Sequence, residues 1–241
     1  VVRPKLRAYM QSLVEQTYLY SGMRQIGRTH LQHALPITVG FWFATILNRA
    51  TFNVIGLELA AHHLVGKISG AVGAYNAQVG LQVYDGDGEH TFEELVLGKL
   101  GLLAAPISTQ ILPPEPLAHY LFSCVLTSAS LGQLGNDARQ LMRTEVAELA
   151  EPFETGQVGS STMAHKRNPI NFENTQGMFV NSKNQFMNVL DTLITDHQRD
   201  LVESSIIRDF PAMVVRLVYQ LDTLMRPGKE DKRPFIERIV V

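Results

Sequence analysis

The chain has 241 residues, of which 45% are hydrophobic, and its formal net charge is −2. A chain of this length and composition can bury a substantial core in one large domain or two small ones. The near-neutral charge argues against a nucleic-acid-binding surface as the main function. We find no signal peptide and no uncharged apolar run long enough to span a membrane. The sequence therefore predicts a soluble, cytoplasmic protein without nucleic-acid or membrane partners.

The sequence gives no indication of a metal or a cofactor. Its single cysteine, Cys124, excludes an internal disulfide and a cysteine-based zinc cage. Cys124 lies in an apolar periodic stretch, which predicts a buried small side chain rather than a nucleophile. His62 and His63 are adjacent, so on a helix they point to different sides, and no HExxH pattern accompanies them.

Apolar residues recur every three or four positions over most of the chain, which predicts helices. In chain order the predicted helices cover residues 4–22, 38–68, 91–103, 115–149, 170–195 and 207–226. The connections between them are predicted to be loops, notably 23–37, 85–88, 104–116 and 195–205. Gly132 and Gly135 interrupt the longest periodic run, and they either weaken the helix or let a second helix approach closely.

Strands alternating with helices are absent from this pattern, so the sequence predicts an all-α chain. The longest helices have up to about 30 residues, or roughly 45 Å. Helices of this length with broad apolar faces form elongated bundles, and their remaining apolar surface favours oligomerisation. We expect residues 1–226 to form the central helical-bundle domain and residues 227–241 to begin a C-terminal helical region.

Three polar segments interrupt this apolar scaffold, and each concentrates groups that bind anions or transfer protons. They are residues 27–33 (GRTHLQH), 156–174 (GQVGSSTMAHKRNPINFEN) and 196–208 (DHQRDLVESSIIR). The paired serines, the Lys and the Asn of the middle segment suit a loop whose backbone N–H groups converge on a carboxylate or phosphate. By composition alone an ordinary turn is equally compatible with that segment.

The other two segments also have ordinary structural interpretations. His30 or His33 would be a surface or hydrogen-bonded loop histidine. Arg199 and Arg208 would pair with the aspartates that follow them on a solvated face, and Ser204 would belong to a helix cap. These interpretations stay open as long as each segment is considered by itself.

The combination of motifs is more specific. Residues 159–169 (GSSTMAHKRNP) resemble the G-S-S-x-M-P-x-K-x-N-P signature of the fumarase/aspartase superfamily, and residues 27–32 (GRTHLQ) resemble its upstream G-R-T-H-x-Q element. Residues 199–208 (RDLVESSIIR) look like the R-D-x-x-x-S-S-x-x-R segment of the adenylosuccinate lyases. Residues 143–153 are similar to the stretch that precedes the signature in the same family. One departure is Ala164 in place of the usual Pro, which we expect to loosen the loop.

This resemblance implies a lyase that releases fumarate from a succinyl-type substrate by β-elimination. For this family the substrates are adenylosuccinate, which yields AMP, and the succinyl-carboxamide ribotide of purine synthesis. The resemblance also implies a long-helix bundle that forms the multi-helix core of a homotetramer, with active sites shared between subunits. The superfamily's N-terminal region is not among the 241 residues, so we expect the chain to be part of a longer protein.

The reaction needs a base, support for a dianionic intermediate and an acid for the leaving nitrogen. By resemblance Ser160 is the base, with Ser161 as the second choice, and Lys166 stabilises the alkoxide and the substrate carboxylate. His30 is the general acid, since histidine exchanges protons near neutral pH, and Glu173 pairs with it. The residues expected to bind substrate are Arg28, Thr29, Gln110, Ser161, Met163, Asn168, Arg199, Ser204 and Arg208. Of these, the last three suit the nucleotide phosphate.

Two alternatives accompany this reading. A 3-carboxy-cis,cis-muconate cycloisomerase shares the G-S-S-T-M and G-R-T-H-like elements, but its substrate carries no phosphate for residues 199–208 to bind. A catalytically silent structural relative, as the crystallins are among argininosuccinate lyases, is disfavoured by the intact His30, Ser160, Lys166 and Glu173.

Overall fold

The computed structural model of the chain describes residues 1–163 and 165–241, so the expectation about Ala164 lies outside the described residues. The α-helices of this part are α1 (Val2–Leu19), α2 (Val39–His62), α3 (Asn76–Gly80), α4 (Phe92–Lys99), α5 (Glu115–Leu141), α6 (Ile170–Asp191) and α7 (Phe210–Leu224). The strands are β1 (Arg24–Thr29), β2 (Gln32–Thr38), β3 (Val65–Gly66) and β4 (Leu103–Ala104). Short 3-10 helices cover Val202–Ser204, Ile207–Asp209 and Phe235–Arg238. Among the described residues, no helix combines the length and the apolarity that a membrane crossing needs.

The predicted all-α bundle is confirmed, and each of the six predicted helices is present. All six end earlier than predicted, whereas α1 begins two residues earlier, at Val2. Thr38 marks the start of α2, because its Oγ1 accepts a hydrogen bond from the Phe41 N–H at 3.0 Å. The prediction that 115–149 is one helix is wrong after residue 141, where the chain turns and Ala147 has a positive φ of 50°.

The prediction of a loop over residues 23–37 is also wrong. Strands β1 and β2 pair antiparallel as a hairpin, with Arg24 opposite Thr38 and Thr29 opposite Gln32. The register shifts between Ile26 and Arg28, as in a β-bulge, so the two strands lack the regular alternation by which strands are recognised.

Residue contacts divide the chain into two compact units. Unit 1 comprises Val1–Ile55, Val125–Lys183 and Val214–Val241, and unit 2 comprises Gly56–Cys124 and Asn184–Met213. Helices α2, α5, α6 and α7 contribute residues to both units. The expected division of the chain at residue 226 stays a prediction.

The core of unit 1 is built by helices α1, α2, α5, α6 and α7. Its fully buried side chains include Leu13, Phe43, Leu134, Phe172 and Leu221. Helices α5 and α6 approach closely at Gly135, where an added Cβ would lie 2.6 Å from the carbonyl oxygen of Phe172. The close-approach interpretation of the α5 glycines is therefore confirmed.

A buried amide joins three helices of unit 1. Gln220 of α7 is fully buried, and its Oε1 accepts a hydrogen bond from Ser128 Oγ of α5 at 2.6 Å. Its Nε2 donates to the carbonyl oxygen of Thr175 on α6 at 2.7 Å. Since buried polar groups must be paired, this network fixes the three helices against one another.

Unit 2 is organised around a buried carboxylate and a short helix. Glu93 is 3% exposed, and it accepts hydrogen bonds from the Ile68 N–H at 2.5 Å and the Tyr75 hydroxyl at 2.6 Å. Helix α4 begins with a capping box between Thr91 and Glu94. Cys124 is buried as predicted, and burial raises the pKa of its thiol to about 12.

Candidate active site

The hairpin β1–β2 of unit 1 presents His30 at its tip. His30 and Leu31 form the two-residue connection, and both have positive φ angles, 55° and 62°. A right-twisted hairpin favours this conformation, but it is normally supplied by Asn and Gly. For residues with a Cβ it costs about 1 kcal/mol each, and such strain is common at functional sites. Thr29, His30 and Leu31 are exposed.

Arg28 fastens the hairpin to the segment that precedes the signature loop. Its Nη1 donates to Glu148 Oε2 at 3.1 Å, its Nη2 bonds the other oxygen, and Gln25 Nε2 also donates to Oε2 at 3.1 Å. The hydrogen bond from Arg28 lowers the pKa of the Glu148 carboxyl. In this chain the Arg28 guanidinium is thus paired with protein, and its part in substrate binding stays a prediction.

The hydroxyl of Ser160 is hydrogen-bonded to the backbone of the signature loop, residues 156–169. Its Oγ accepts hydrogen bonds from the backbone N–H groups of Met163 at 3.2 Å and Thr162 at 3.4 Å. Two donors aimed at one oxygen would stabilise an alkoxide more than a neutral hydroxyl, because hydrogen bonds to the charged form are stronger. Ser161 is exposed, whereas Ser160 is half-buried.

The loop folds back on itself through backbone and amide contacts. Asn168 Nδ2 donates to the carbonyl oxygen of Gly159 at 3.3 Å, and a Cβ at Gly159 would collide with the carbonyl oxygen of Lys166. The guanidinium of Arg167 lies 4.5 Å from the centre of the Phe153 ring, a cation–π contact. These contacts bring the Lys166–Asn168 stretch beside the serine stretch.

A buried carboxylate holds the two ends of the loop together. Glu151 is 6% exposed, and its Oε1 accepts from the N–H groups of Asn171 at 2.9 Å and Phe172 at 3.0 Å. It caps the first turn of α6, where unpaired N–H groups and the helix dipole favour an anion. Burial raises the pKa of Glu151, opposed by these hydrogen bonds. Glu154, two residues before the loop, pairs with Arg238 at 2.6 Å.

Basic side chains line a cleft of about 700 Å³ beside the loop. Its charged and amide lining residues are Arg139, Gln140, Arg143, His165, Lys166, Arg167, Asn168 and Glu173. Five of these groups can carry positive charge and one is a carboxylate, so the cleft suits an anionic ligand. The cleft lies wholly within unit 1.

The third polar segment belongs to unit 2 and is organised by Asp200. Its carboxylate accepts from the N–H groups of Val202 at 2.7 Å and Asp196 at 2.8 Å, and from the Thr195 hydroxyl at 3.0 Å. The hydrogen bond from Asp196 is the main cause that lowers the pKa of Asp200. The exposed guanidiniums of Arg199 and Arg208 form no ion pair within the described residues, in contrast to the surface-pair interpretation.

Gln110 lies next to this segment in unit 2. Thr109 Oγ1 donates to the carbonyl oxygen of Gln198 at 3.0 Å, and Lys67 Nζ donates to the carbonyl oxygen of Gln110 at 3.0 Å. The Gln110 backbone is thereby fixed while the residue stays exposed. The structure thus brings the predicted Thr-Gln pair and the Arg199–Arg208 segment into one unit.

Comparison with known proteins identifies the family of this chain. A family model described as lyase matches residues 1–181, three quarters of the chain. The chain belongs to this lyase family. The resemblance to the fumarase/aspartase superfamily is thereby confirmed.

Curated relatives of this lyase family match most of the chain. Adenylosuccinate lyase of Pyrococcus horikoshii is 38% identical over 227 residues, which are 92% of this chain and 48% of that protein. The enzyme of the same name from Thermotoga maritima is 36% identical, over 92% of this chain and 50% of its own length. The enzyme of that name from Bacillus subtilis is 35% identical, over 90% of this chain and 48% of its own length. The chain thus spans about half the length of the curated relatives it matches.

A solved structure agrees on the fold. The 3-carboxy-cis,cis-muconate lactonizing enzyme from Pseudomonas putida superposes with a TM-score of 0.80 at 23% identity, over 99% of this chain and 49% of that one. At this identity the likeness concerns the fold of the lyase family and not its substrate.

The structure groups the predicted site residues of this chain by unit. Unit 1 holds Arg28, Thr29, His30, Ser160, Ser161, Met163, Lys166, Asn168 and Glu173, and unit 2 holds Gln110, Arg199, Ser204 and Arg208. Lys166, Asn168 and Glu173 line one cleft. Within the described residues no ion pair joins His30 to Glu173, whose partner in this chain is Arg139 at 3.8 Å.

Sequence reasoning did not single out three residues that shape the site. Arg139 lines the cleft, Glu148 holds the hairpin and Glu151 holds the loop. Glu151 belongs to the lead-in motif, and Arg139 lies in the last turn of α5, four positions before Arg143, which follows the helix. The contacts that give these residues their roles are long-range, so no local pattern identifies them.

Proposed function

We propose that the protein containing this chain is an adenylosuccinate lyase, which splits adenylosuccinate into AMP and fumarate and also cleaves the succinyl-carboxamide ribotide of purine synthesis. The observation that carries the proposal is the loop of Ser160. The hydroxyl of Ser160 accepts hydrogen bonds from two backbone N–H groups, and the loop lies beside a cleft lined by Lys166 and Asn168. The names of the curated relatives support the choice of substrate.

In the proposed reaction Ser160, as an alkoxide, removes the proton from the carbon beside a substrate carboxylate. The electron pair of that C–H bond becomes the double bond of fumarate, while the C–N bond breaks and its electron pair leaves with the nitrogen of AMP. Lys166 and Asn168 bind the carboxylate whose charge grows during this step. His30 gives a proton to the departing nitrogen, and Glu173 orients the imidazole.

The nucleotide would be held by the third polar segment. Arg199 and Arg208 are exposed and Ser204 is half-buried at the end of a 3-10 turn. Two guanidiniums and a hydroxyl match the geometry and charge of a phosphate dianion. In the same proposal the other contacts to substrate come from Arg28, Thr29, Gln110, Ser161 and Met163. A muconate substrate offers no phosphate, which favours the lyase over the cycloisomerase.

We further propose that the active protein is a cytoplasmic homotetramer whose sites combine segments of different subunits. Helix α2 supports this, because it exposes large apolar side chains at Phe41, Phe52, Ile55 and Leu59, each more than half accessible. His30 and Glu173 would then meet across a subunit boundary. Sedimentation and activity measured over a dilution series test this, and full activity in a monomeric preparation contradicts it.

The decisive assay follows the absorbance change as the full-length protein acts on adenylosuccinate. We expect Ser160→Ala to lower kcat by about 10³-fold or more, since it removes the oxygen that takes the substrate proton. Ser161→Ala is the matched control and should cost much less. Absence of turnover by the wild-type protein, or unchanged turnover in Ser160→Ala, would overturn the assignment. Turnover of carboxymuconate instead of adenylosuccinate would favour the cycloisomerase.

A further inference from the structure

Arg139 is a cation of the cleft that none of the three motifs contains. It lies near the C-terminal end of α5, and its Nε is 3.8 Å from Oε1 of Glu173 on α6. Its Nη1 donates a hydrogen bond to Oε1 of Gln176, which lies one turn farther along the same face of α6. One guanidinium therefore contacts two successive turns of the helix face that carries Glu173.

The side chain of Arg139 is placed so that its Nε faces the carboxylate of Glu173. Its side chain is 35% exposed, but its Nε is buried and has no hydrogen-bond partner among the described residues. Because a guanidinium is planar and its donors are fixed relative to one another, the bond to Gln176 also fixes where Nε lies. Nε is thereby held beside Glu173 at ion-pair distance.

The other charged groups that line the cleft with Glu173 are basic. Arg143 comes from the turn after α5, and His165, Lys166 and Arg167 come from the signature loop. Arg143 is engaged elsewhere, with its Nε 3.6 Å from Oε2 of Glu145. Within the described part of the chain, Arg139 is the cation that forms an ion pair with Glu173.

We propose that Arg139 is a positioning residue for the elimination, which holds the Glu173 carboxylate in the orientation for its pairing with His30. This inference rests on the proposed function, in which His30 is the general acid. Arg139 and protonated His30 then share the Glu173 carboxylate. The positive charge of Arg139 disfavours the positive charge on His30. Without Arg139, Glu173 acts on His30 alone, so the histidine keeps its proton to higher pH.

The test is a set of pH–rate profiles of the full-length protein on adenylosuccinate, from about pH 5.5 to about pH 9.5. For Arg139→Gln we expect kcat to fall about tenfold, because the carboxylate loses its orientation. We also expect the alkaline limb of kcat/KM to move up by about half a pH unit. Arg139→Lys keeps the charge and should return the limb to its wild-type position. Arg143→Gln removes the same charge from the same cleft and should move the limb less.

Two outcomes overturn the inference, and they are distinguishable. If Arg139 only joins α5 to α6, Arg139→Gln lowers Tm and kcat but leaves the alkaline limb in place. Glu173→Gln tests the underlying pairing, since it should move the limb to lower pH. If Glu173→Gln moves the limb and Arg139→Gln does not, the role of Arg139 alone is wrong. If neither moves it, the pairing of His30 with Glu173 is wrong as well.

Discussion

Substitution of Gly135 by Ala tests the helix packing beneath the candidate site. The new Cβ would lie 2.6 Å from the carbonyl oxygen of Phe172 and 3.5 Å from the Cβ of Thr175. A carbon and an oxygen need about 3.2 Å, so α5 and α6 must separate by roughly 0.6 Å, and the oxygen belongs to a helix backbone that cannot rotate away. Glu173 follows Phe172 directly, and Arg139 lies one turn along α5, so the shift reaches the cleft.

The magnitude follows from two opposing effects. Overpacking of this kind costs about 1 to 3 kcal/mol, while replacing a helical glycine by alanine contributes about 1 kcal/mol of stability. Gly177→Ala is the matched control, because Gly177 lies within α6 and an added Cβ meets nothing within 4 Å. Both substitutions share the gain from replacing a helical glycine, so the difference between them is the overpacking cost, and we expect Gly135→Ala to be less stable than Gly177→Ala by about 1 to 3 kcal/mol.

Thermal unfolding of the two variants of the full-length protein measures this difference, as a lower Tm for Gly135→Ala than for Gly177→Ala. The same variants are assayed for turnover of adenylosuccinate. We expect Gly135→Ala to lose activity by about tenfold or more, since small displacements of catalytic groups are costly, and Gly177→Ala to retain it. Equal stability of the two variants would refute the reasoning, because it would mean that the helices separate without cost.

Two further predictions concern buried polar groups of unit 1. Replacing Gln220 by Leu leaves Ser128 and the Thr175 carbonyl without their buried partner, and we expect chemical denaturation to show a loss of about 1 to 3 kcal/mol; an unchanged midpoint would contradict the network. The raised pKa of Glu151 means that burial opposes its ionisation, so its contribution to stability is greatest below the unfolded pKa and declines as pH rises through the folded one. The free energy of unfolding of wild type relative to Glu151→Gln should therefore fall as the pH rises above the ordinary pKa of a glutamate, about 4.3, and a rise instead would show that the hydrogen bonds from Asn171 outweigh burial.

The helices could be predicted from the sequence because their signals are local. Apolar spacing located them, and Thr38 marked the start of α2. The ends were less accurate, since tertiary contacts decide where a helix stops. At α5 the chain turns after Leu141 although apolar residues continue at the same spacing to Leu149.

The hairpin was missed for a physical reason. Buried and exposed residues do not alternate along either strand. A bulge interrupts the register at Gly27, and the connection is His30-Leu31 rather than a pair that favours positive φ. The signals by which hairpins are recognised are therefore absent. The residues themselves were singled out through the motif, which is independent of the backbone they occupy.

The candidate site was predictable in its motif residues and not in its supports. Ser160, Lys166 and Asn168 stand close in sequence, so a local pattern contains them. Arg139 and Glu151 act through contacts to α6, and nothing in their immediate sequence states which helix they will touch. Supporting residues of this kind can be identified only from the folded structure.

The capping of α6 by Glu151 has a consequence for how substrate is admitted. Because Glu151 bonds the N–H groups of Asn171 and Phe172, residues 152–170 form a closed ring in the free chain. The entropy of closing that ring is lost on folding rather than on binding, and it grows only slowly with the number of residues, by about 0.6 kcal/mol per doubling. If the proposed reaction includes closure of Ser160 over the substrate, that closure would move a segment tethered at both ends and would not order an open one. Lengthening the ring at its exposed tip near Val158 should disturb the fold little, whereas opening it at Glu151 adds an ordering cost to every binding event.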